Sequence, residues 1–260
     1  PPSSFFNLSA VSYEENSDRY PIPYAIPPGI QRTVASAGIS TINLLQNEQA
    51  VTCQVGDLQD GYARGIYKRV DVDMRQFKNL RMFVHAESLT TFGTCEEIDD
   101  GDITAFIRLG DDFTNNYYEY EIPLKVTVPE DPYPGYSIDS EEKKRWIWPE
   151  QNEMNVRLQE FTDAKIKRNF DENAPVGKPY VVYLTDTSGI DAVNQIAKIT
   201  VVGSPDIGNL KQIMLGVRNP KQTSKTITSD DGFEKCAEVW FNELRSVSYT
   251  HLRAHETKAN

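Results

Sequence analysis

The sequence predicts a mainly β protein: an antiparallel, jelly-roll-like β-sandwich with one short helix. Three observations predict it. Short stretches alternate apolar and polar residues along most of the chain. Clusters of Gly, Pro, Asn and Asp punctuate those stretches, and only Gln159–Asn169 has apolar spacing suited to a helix. Alternation of period two gives a strand one apolar face, and many such strands separated by turn residues indicate an antiparallel sandwich. The clearest case is Thr104–Leu124, TAFIRLGDDFTNNYYEYEIPL. Ile103, Ala105, Ile107 and Leu109 alternate with Thr104, Phe106 and Arg108, and Tyr118, Tyr120, Ile122 and Leu124 alternate with Tyr117, Glu119 and Glu121. Gly110–Asn116 between them has the chemistry of a connecting loop, so this pair is expected near the centre of the sandwich.

Residues 1–30 read as a Pro-rich linker. Pro1, Pro2, Pro21, Pro23, Pro27 and Pro28 fall here, and proline lacks the donor a sheet ladder needs. Tyr20, Ile22, Tyr24 and Ile26 are the expected anchors of this run on the surface it crosses. Strands are expected at Thr33–Ala37, Val51–Val55, Gly65–Val72 and Leu80–Glu87. In the last of these Leu80, Met82, Val84 and Ala86 oppose Arg81, Phe83, His85 and Glu87. Asp73–Lys78 is a short polar link, and Pro129–Tyr136 (PEDPYPGY) is a loop. Glu141–Arg145 reads as a turn or short helical segment, with Trp146–Pro149 an aromatic anchor. Met154–Leu158 fits a strand. In the helix that follows, Phe161, Ala164 and Ile166 face inward, and Lys165, Lys167 and Arg168 sit near the C-terminus, where the helix dipole favours cations. Tyr180–Thr185, Ala197–Val202, Leu210–Val217 and Cys236–Leu244 complete the strands.

Length and composition bound the rest. The chain has 260 residues, 39% hydrophobic and 25% charged, which suits a globular fold. A net charge of −11 argues against a nucleic-acid partner, because phosphate binding needs clustered Lys and Arg. No apolar run approaches the roughly 20 residues of a membrane helix. The three cysteines, Cys53, Cys95 and Cys236, form no CxxC pair, so a zinc or redox motif is not supported. They read first as buried thiols, with one disulfide the alternative in an oxidising compartment. The chain starts PPSSFF, without Met or a signal peptide, as expected of a piece of a longer protein. Val247–Thr257, VSYTHLRAHET, resembles a translated sequencing adapter. The expected organisation is therefore a linker at 1–30, a β-sandwich at 31–245 and an adapter-derived tail at 246–260. His251 and His255 fall in that tail, so their i, i+4 spacing is not read as a metal site.

No motif for catalysis or a cofactor is present: GxSxG, Walker A, GxGxxG and HExxH are all missing. His85 is the one histidine outside the tail and reads as a structural strand residue; a hydrolase would need a nucleophile and an orienting carboxylate beside it. Asp99, Asp100 and Asp102 form one acidic loop and Asp111 and Asp112 the next. The strand between them separates the two by roughly 20 Å, too far to share one ion. They read as solvated loops, with a single-loop calcium site the alternative, and Gly56–Gly61 (GDLQDG) is a weaker case. Tyr117, Tyr118, Tyr120, Trp146, Trp148 and Trp240 read as core, with a sugar-stacking platform the alternative. No catalytic, cofactor or metal residue is assigned.

A family resemblance adds to this. NLRMFVHAE, TAFIRLGDDFTNNYYEYEIPL, WPEQNEM, IMLGVRNP and CAEVWFNELR, in that order, together with YAIPPGIQR upstream, resemble the SprA/Sov family. That family comprises the large outer-membrane translocons of the type IX secretion system of Bacteroidota, which serve protein export and gliding motility. The resemblance spans most of residues 20–245 and implies a non-barrel, extramembrane piece of a much larger chain. Implied partners are the rest of the translocon, other outer-membrane subunits of the system and secreted cargo; the implied location is the outer membrane. No cofactor is implied and no catalytic residue is carried over. VDMRQFKNLRMFVHAE-like and AEVWFNELR-like strands are also similar to those of jelly-roll carbohydrate-binding modules, so a glycan-binding module is the alternative.

Overall fold

The structure, a computed structural model, describes residues 4–32, 34–35, 44–89, 96–185, 196–224 and 231–248. In chain order its elements are β1 (Phe5–Ser12), α1 (Tyr13–Asn16), β2 (Val34–Ala35), β3 (Leu44–Leu45), β4 (Gln49–Leu58), β5 (Ala63–Val72), β6 (Phe77–Ser88), β7 (Thr104–Gly110) and β8 (Tyr117–Pro123). Then come α2 (Glu141–Ile147), a 3-10 turn (Glu150–Asn152), β9 (Met154–Arg157), α3 (Leu158–Phe170), β10 (Tyr180–Thr185), β11 (Ile196–Val202), β12 (Leu210–Arg218) and β13 (Lys235–Ser248).

Two antiparallel sheets pack face to face. One has five strands in the order β1-β4-β13-β6-β9, the other six in the order β10-β11-β8-β7-β12-β5. β2 and β3 form a separate two-residue pair. The hairpin β7–β8 holds the two middle places of the six-stranded sheet, in the register Ile107↔Tyr120 and Gly110↔Tyr117. Its alternation is the reason: Ala105, Ile107, Leu109, Tyr118, Tyr120 and Ile122 all point into the interface between the sheets. Against them lie Met82, Val84 and Ala86 of β6, Cys53 and Val55 of β4, and Ala237, Val239 and Phe241 of β13. Ile107 is 1% exposed at the middle of this core. Ile107→Ala is expected to cost about 2–5 kcal/mol, read as a lowered urea midpoint, because a packed core closes poorly over a deleted branch. An unchanged midpoint would place this strand outside the core.

The second half of the sequence assignment also holds, with differences at the ends. Tyr180–Thr185 is observed as expected, and Ala197–Val202 and Leu210–Val217 gain one residue each. Val51–Val55 grows to Gln49–Leu58, since β4 lies between β1 and β13 and is held on both edges. Of Thr33–Ala37 only Val34–Ala35 is within the described residues and is strand. β13 runs to Ser248, pairing Ser246 with Leu80 and Val247 with Asn79 beyond an irregularity at Asn242–Arg245 where Glu243 takes φ 53°. His251 and His255 lie outside the described residues.

Two expectations are corrected. Phe5–Ser12, read as linker, is a strand, paired residue for residue with β4. In α3, Phe161 and Ala164 are buried as expected, but Ile166 is 45% exposed, one position off the buried stripe. Arg168 stands in the last turn as expected; it is 1% exposed, and its Nη1 donates to the Gly203 carbonyl. Helix formation also extends beyond α3. Ser140 caps α2 by accepting the Lys143 N–H, with Glu141 and Glu142 in the first turn, so the charge run at 141–145 becomes a true helix.

Candidate functional site

Each sheet carries a layer of charged and aromatic residues on its outward face, and these two layers are where polar chemistry concentrates. On the five-stranded sheet, alternation sends Phe83, His85 and Glu87 of β6 outward, opposite Asn242, Trp240 and Glu238 of β13. The chain after β1 crosses this face as a strap, and α2 lies beside it. Ile22 is 1% and Tyr24 0% exposed, so two expected anchors hold, Ile26 is buried too, and Tyr20 points away at 91%. Tyr24 meets Trp148 edge-on at 5.9 Å and Trp240 at 5.6 Å, and Trp148 Nε1 donates to the Ala25 carbonyl at 2.7 Å. Trp240 stacks on His85 at 3.9 Å.

The polar groups under the strap are paired in order. Arg19 Nη2 donates to Glu87 Oε1 at 2.5 Å and to Glu238 Oε2 at 3.3 Å. Glu238 also accepts from Trp240 Nε1 at 2.7 Å and Gln54 Nε2 at 2.8 Å. Burial works against the charge on Glu87, but the adjoining His85 and Arg19 outweigh it and hold the carboxyl below its ordinary range. Glu48 is pushed the other way by burial, and accepts from Tyr24 Oη at 2.5 Å and Asn242 Nδ2 at 2.5 Å. His85 Nδ1 lies 2.6 Å from the Ile147 carbonyl, a donor geometry, and Nε2 lies 3.8 Å from Glu87 Oε2. With 0% exposure His85 has no path to a substrate, which removes the hydrolase assignment of this residue.

On the six-stranded sheet the outward residues of the central hairpin meet β12 and β11. Glu119 Oε2 accepts from Arg108 Nε at 2.9 Å and Nη2 at 2.6 Å, while Arg218 Nη2 reaches Oε1 at 3.0 Å. Glu121 accepts from Thr104 Oγ1 at 2.9 Å and pairs with Arg218 and with Lys198 at 3.1 Å. The two guanidiniums roof the aromatics below: Arg108 lies 4.0 Å over Tyr117, and Arg218 4.8 Å over Phe106. Gly216 makes room for this, since a Cβ there would sit 2.3 Å from the Phe106 ring. Burial opposes the charge on Glu119, but Arg218 and Arg108 overcome it and hold its carboxyl below the ordinary range.

These directions set a pH dependence. Glu87 and Glu119 have folded values below their unfolded ones, so their stabilisation is present above the ordinary Glu range near 4.5 and is lost as pH falls through the folded values. Glu48, raised above 4.5, has the opposite sign: it favours the folded state at acid pH and loses that contribution as pH rises through its folded value. Two depressed carboxylates against one raised one favour acid unfolding. Urea midpoints are expected to fall between pH 5 and pH 3, and to fall less steeply in Glu119→Gln; equal slopes would show that this carboxylate does not set the acid limit.

The acidic loops are occupied by the protein itself. Asp102 Oδ2 accepts from Asp99 N and from Lys235 Nζ, both at 2.9 Å, and Asp100 Oδ1 accepts from Val126 N at 2.7 Å. Asp112 Oδ1 accepts from the backbone N–H groups of Thr114, Asn115 and Asn116, which hold its carboxyl low. Asp60 Oδ1 accepts from Gln222 N at 3.0 Å. Among the described residues no three metal-ligating side chains gather. Of the six aromatics named for a sugar platform, Tyr117, Tyr118, Tyr120, Trp148 and Trp240 are all 9% exposed or less, and Trp146 is half-buried. Of the cysteines, Cys53 is a free buried thiol pushed up to about 12 by burial. Cys236 is disulfide-bonded, which corrects the reading of buried thiols. Cys95 lies outside the described residues.

Both layers are built from buried ion pairs and aromatic contacts on the outward faces of the sheets, which defines a β-sandwich with charged outer layers. The motility-related/secretion protein family SprA_N matches residues 1–260, and the chain belongs to that family. Its description is one of motility and secretion. No curated protein matches the chain. Among the described residues no helix is long and apolar enough to cross a membrane.

Proposed function

We propose that the chain is an extramembrane structural and interaction domain of a type IX secretion outer-membrane translocon, and that it supports protein export and gliding motility. The observation that supports this most is membership of a secretion family over residues 1–260. The domain would act by shape. The ion pairs of its two charged layers tie neighbouring strands together and so rigidify the sheets. Its neighbours would be the rest of the translocon chain, other outer-membrane subunits of the system and passing cargo. The disulfide at Cys236 supports a location outside the cytoplasm, because such bonds persist in oxidising compartments.

Deleting residues 31–245 from the full-length protein tests this. Export to the medium and gliding are expected to fall while the shortened protein stays in the envelope at normal abundance. Normal export from that strain would contradict the proposal.

A further inference from the structure

The outward face of the five-stranded sheet holds a charge imbalance under the strap. Arg19 meets two carboxylates there, Glu87 of β6 and Glu238 of β13, each with a side chain only 6% exposed. Among the described residues no other Lys or Arg pairs with either, so one negative charge is left over where water has little access. The titratable group beside Glu87 is His85, which is fully buried.

The neighbours of the ring fix what each nitrogen can do. Nδ1 lies 2.6 Å from the Ile147 carbonyl, which only accepts, so Nδ1 carries a hydrogen. Thr127 Oγ1, 3.3 Å from Nδ1, donates its own hydrogen to the Trp146 carbonyl at 3.3 Å. Nε2 has no hydrogen-bond partner and faces Glu87 Oε2 at 3.8 Å. A neutral ring would turn a bare lone pair toward a carboxylate in a buried site, where nothing compensates it. A second hydrogen on Nε2 makes that contact an ion pair and balances the cluster. Trp240, stacked on the ring at 3.9 Å, offers its π face to the resulting cation. The other ionisable groups nearby are reached through Trp240: Glu238 accepts from its Nε1, and Tyr24, with its hydroxyl on Glu48, packs against its ring.

The covering of the sheet rests on this ring. Ile147 is the last residue of α2, so its carbonyl is one that the helix leaves without an internal partner, and His85 supplies the donor. Trp148, the next residue, meets the ring edge-on at 6.1 Å and donates to the strap at the Ala25 carbonyl. At the other nitrogen, Glu87 holds Arg19 at the start of the strap.

We propose that His85 is a proton-linked clasp: its imidazolium form holds the strap at residues 19–26 and the end of α2 on the sheet, and loss of the Nε2 proton loosens both. The sign follows from linkage. A ring that takes up its second proton in the folded chain stabilises the closed arrangement while that proton is bound, and the contribution is lost as pH rises and the proton leaves. Glu87 has to stay ionised for the clasp to hold. Its carboxyl is held below the ordinary range, so it keeps its charge across the span of about pH 5 to 8 in which histidines switch. This inference does not rest on the export reading, since it concerns the purified chain alone.

The test uses the full chain with nitrogen-15-labelled histidine, carrying His251→Asn and His255→Asn so that His85 alone is seen in proton–nitrogen correlation spectra of the ring. At about pH 6 both ring nitrogens are expected to carry hydrogen. On raising the pH to about 9, Nε2 is expected to lose its hydrogen while Nδ1 keeps its own. Over the same range amide protection across residues 19–26 and 146–148, corrected for intrinsic exchange, is expected to fall at least about tenfold. Glu87→Gln keeps the shape and removes the charge. Its ring is expected to be singly protonated at about pH 6, and its strap protection to be level across the range. A parent ring with a single hydrogen at about pH 6 overturns the proposal, whatever the variant does. So does a parent ring that keeps both hydrogens up to about pH 9. Strap protection in the parent that stays level while Nε2 loses its hydrogen also overturns it.

Discussion

Glu119→Ala is expected to destabilise the chain by about 3–5 kcal/mol, the range for breaking a buried ion pair from one side. Glu119 is 3% exposed, and its carboxylate receives both Arg108 and Arg218. Removing it leaves two guanidiniums, each 17% exposed, facing one another over Phe106 and Tyr117 with only Glu121 to neutralise them. The Arg side chains retain some access to water, which puts the expected value toward the lower end of that range. Adding Arg108→Met in the same chain should recover part of the loss, because it removes one of the two unpaired cations. The check is a double-mutant cycle by urea denaturation. Additive losses would mean that the two residues are not coupled and that the layer is an incidental surface cluster.

Trp240→Ala is expected to cost about as much, roughly 3–5 kcal/mol, through lost aromatic volume. Trp240 is 0% exposed and touches His85, Tyr24, Trp148 and Arg19 together. Its effect should differ from that of Glu119→Ala in where it appears. The strap after β1 is held by Tyr24, Ile22 and Arg19, all of which rest on the outward face around this ring. Amide exchange is therefore expected to rise first across residues 19–26. Protection there unchanged from the parent would show that the strap is held independently of the ring beneath it.

How far the sequence disclosed this depends on which force shaped each element. Burial on one face writes a period of two, and the β7–β8 hairpin was legible for that reason. β1 was not: most of its residues are exposed, and it is a strand because β4 offers eight partners for its backbone. Backbone pairing leaves no mark on side-chain pattern, and nearby prolines suggested a linker. Ile22 and Tyr24 were legible as anchors because apolar residues between prolines have few alternatives to docking. Tyr20 has the same spacing and points to solvent, so spacing alone did not separate them.

The charged layer shows the other limit. Arg108, Glu119 and Glu121 stood on the mixed face of the predicted hairpin in plain view. Arg218 joins them from β12, 99 residues beyond Glu119 in sequence. Pairing across that distance is a property of strand order, which no local pattern carries. The acidic loops left two readings open in the sequence, a plain loop first and a calcium site as the alternative, and their Asp residues are occupied by their own backbone and by Lys235. A turn and a metal loop draw on the same residues, and only geometry distinguishes them.

We propose that this sandwich works within an outer-membrane export machinery. The most direct test is affinity purification of the full-length protein from detergent-solubilised envelope, followed by mass spectrometry of what comes with it. Outer-membrane subunits and exported proteins are expected in the eluate, in amounts that fall when residues 31–245 are deleted. A soluble protein recovered without membrane partners would contradict it.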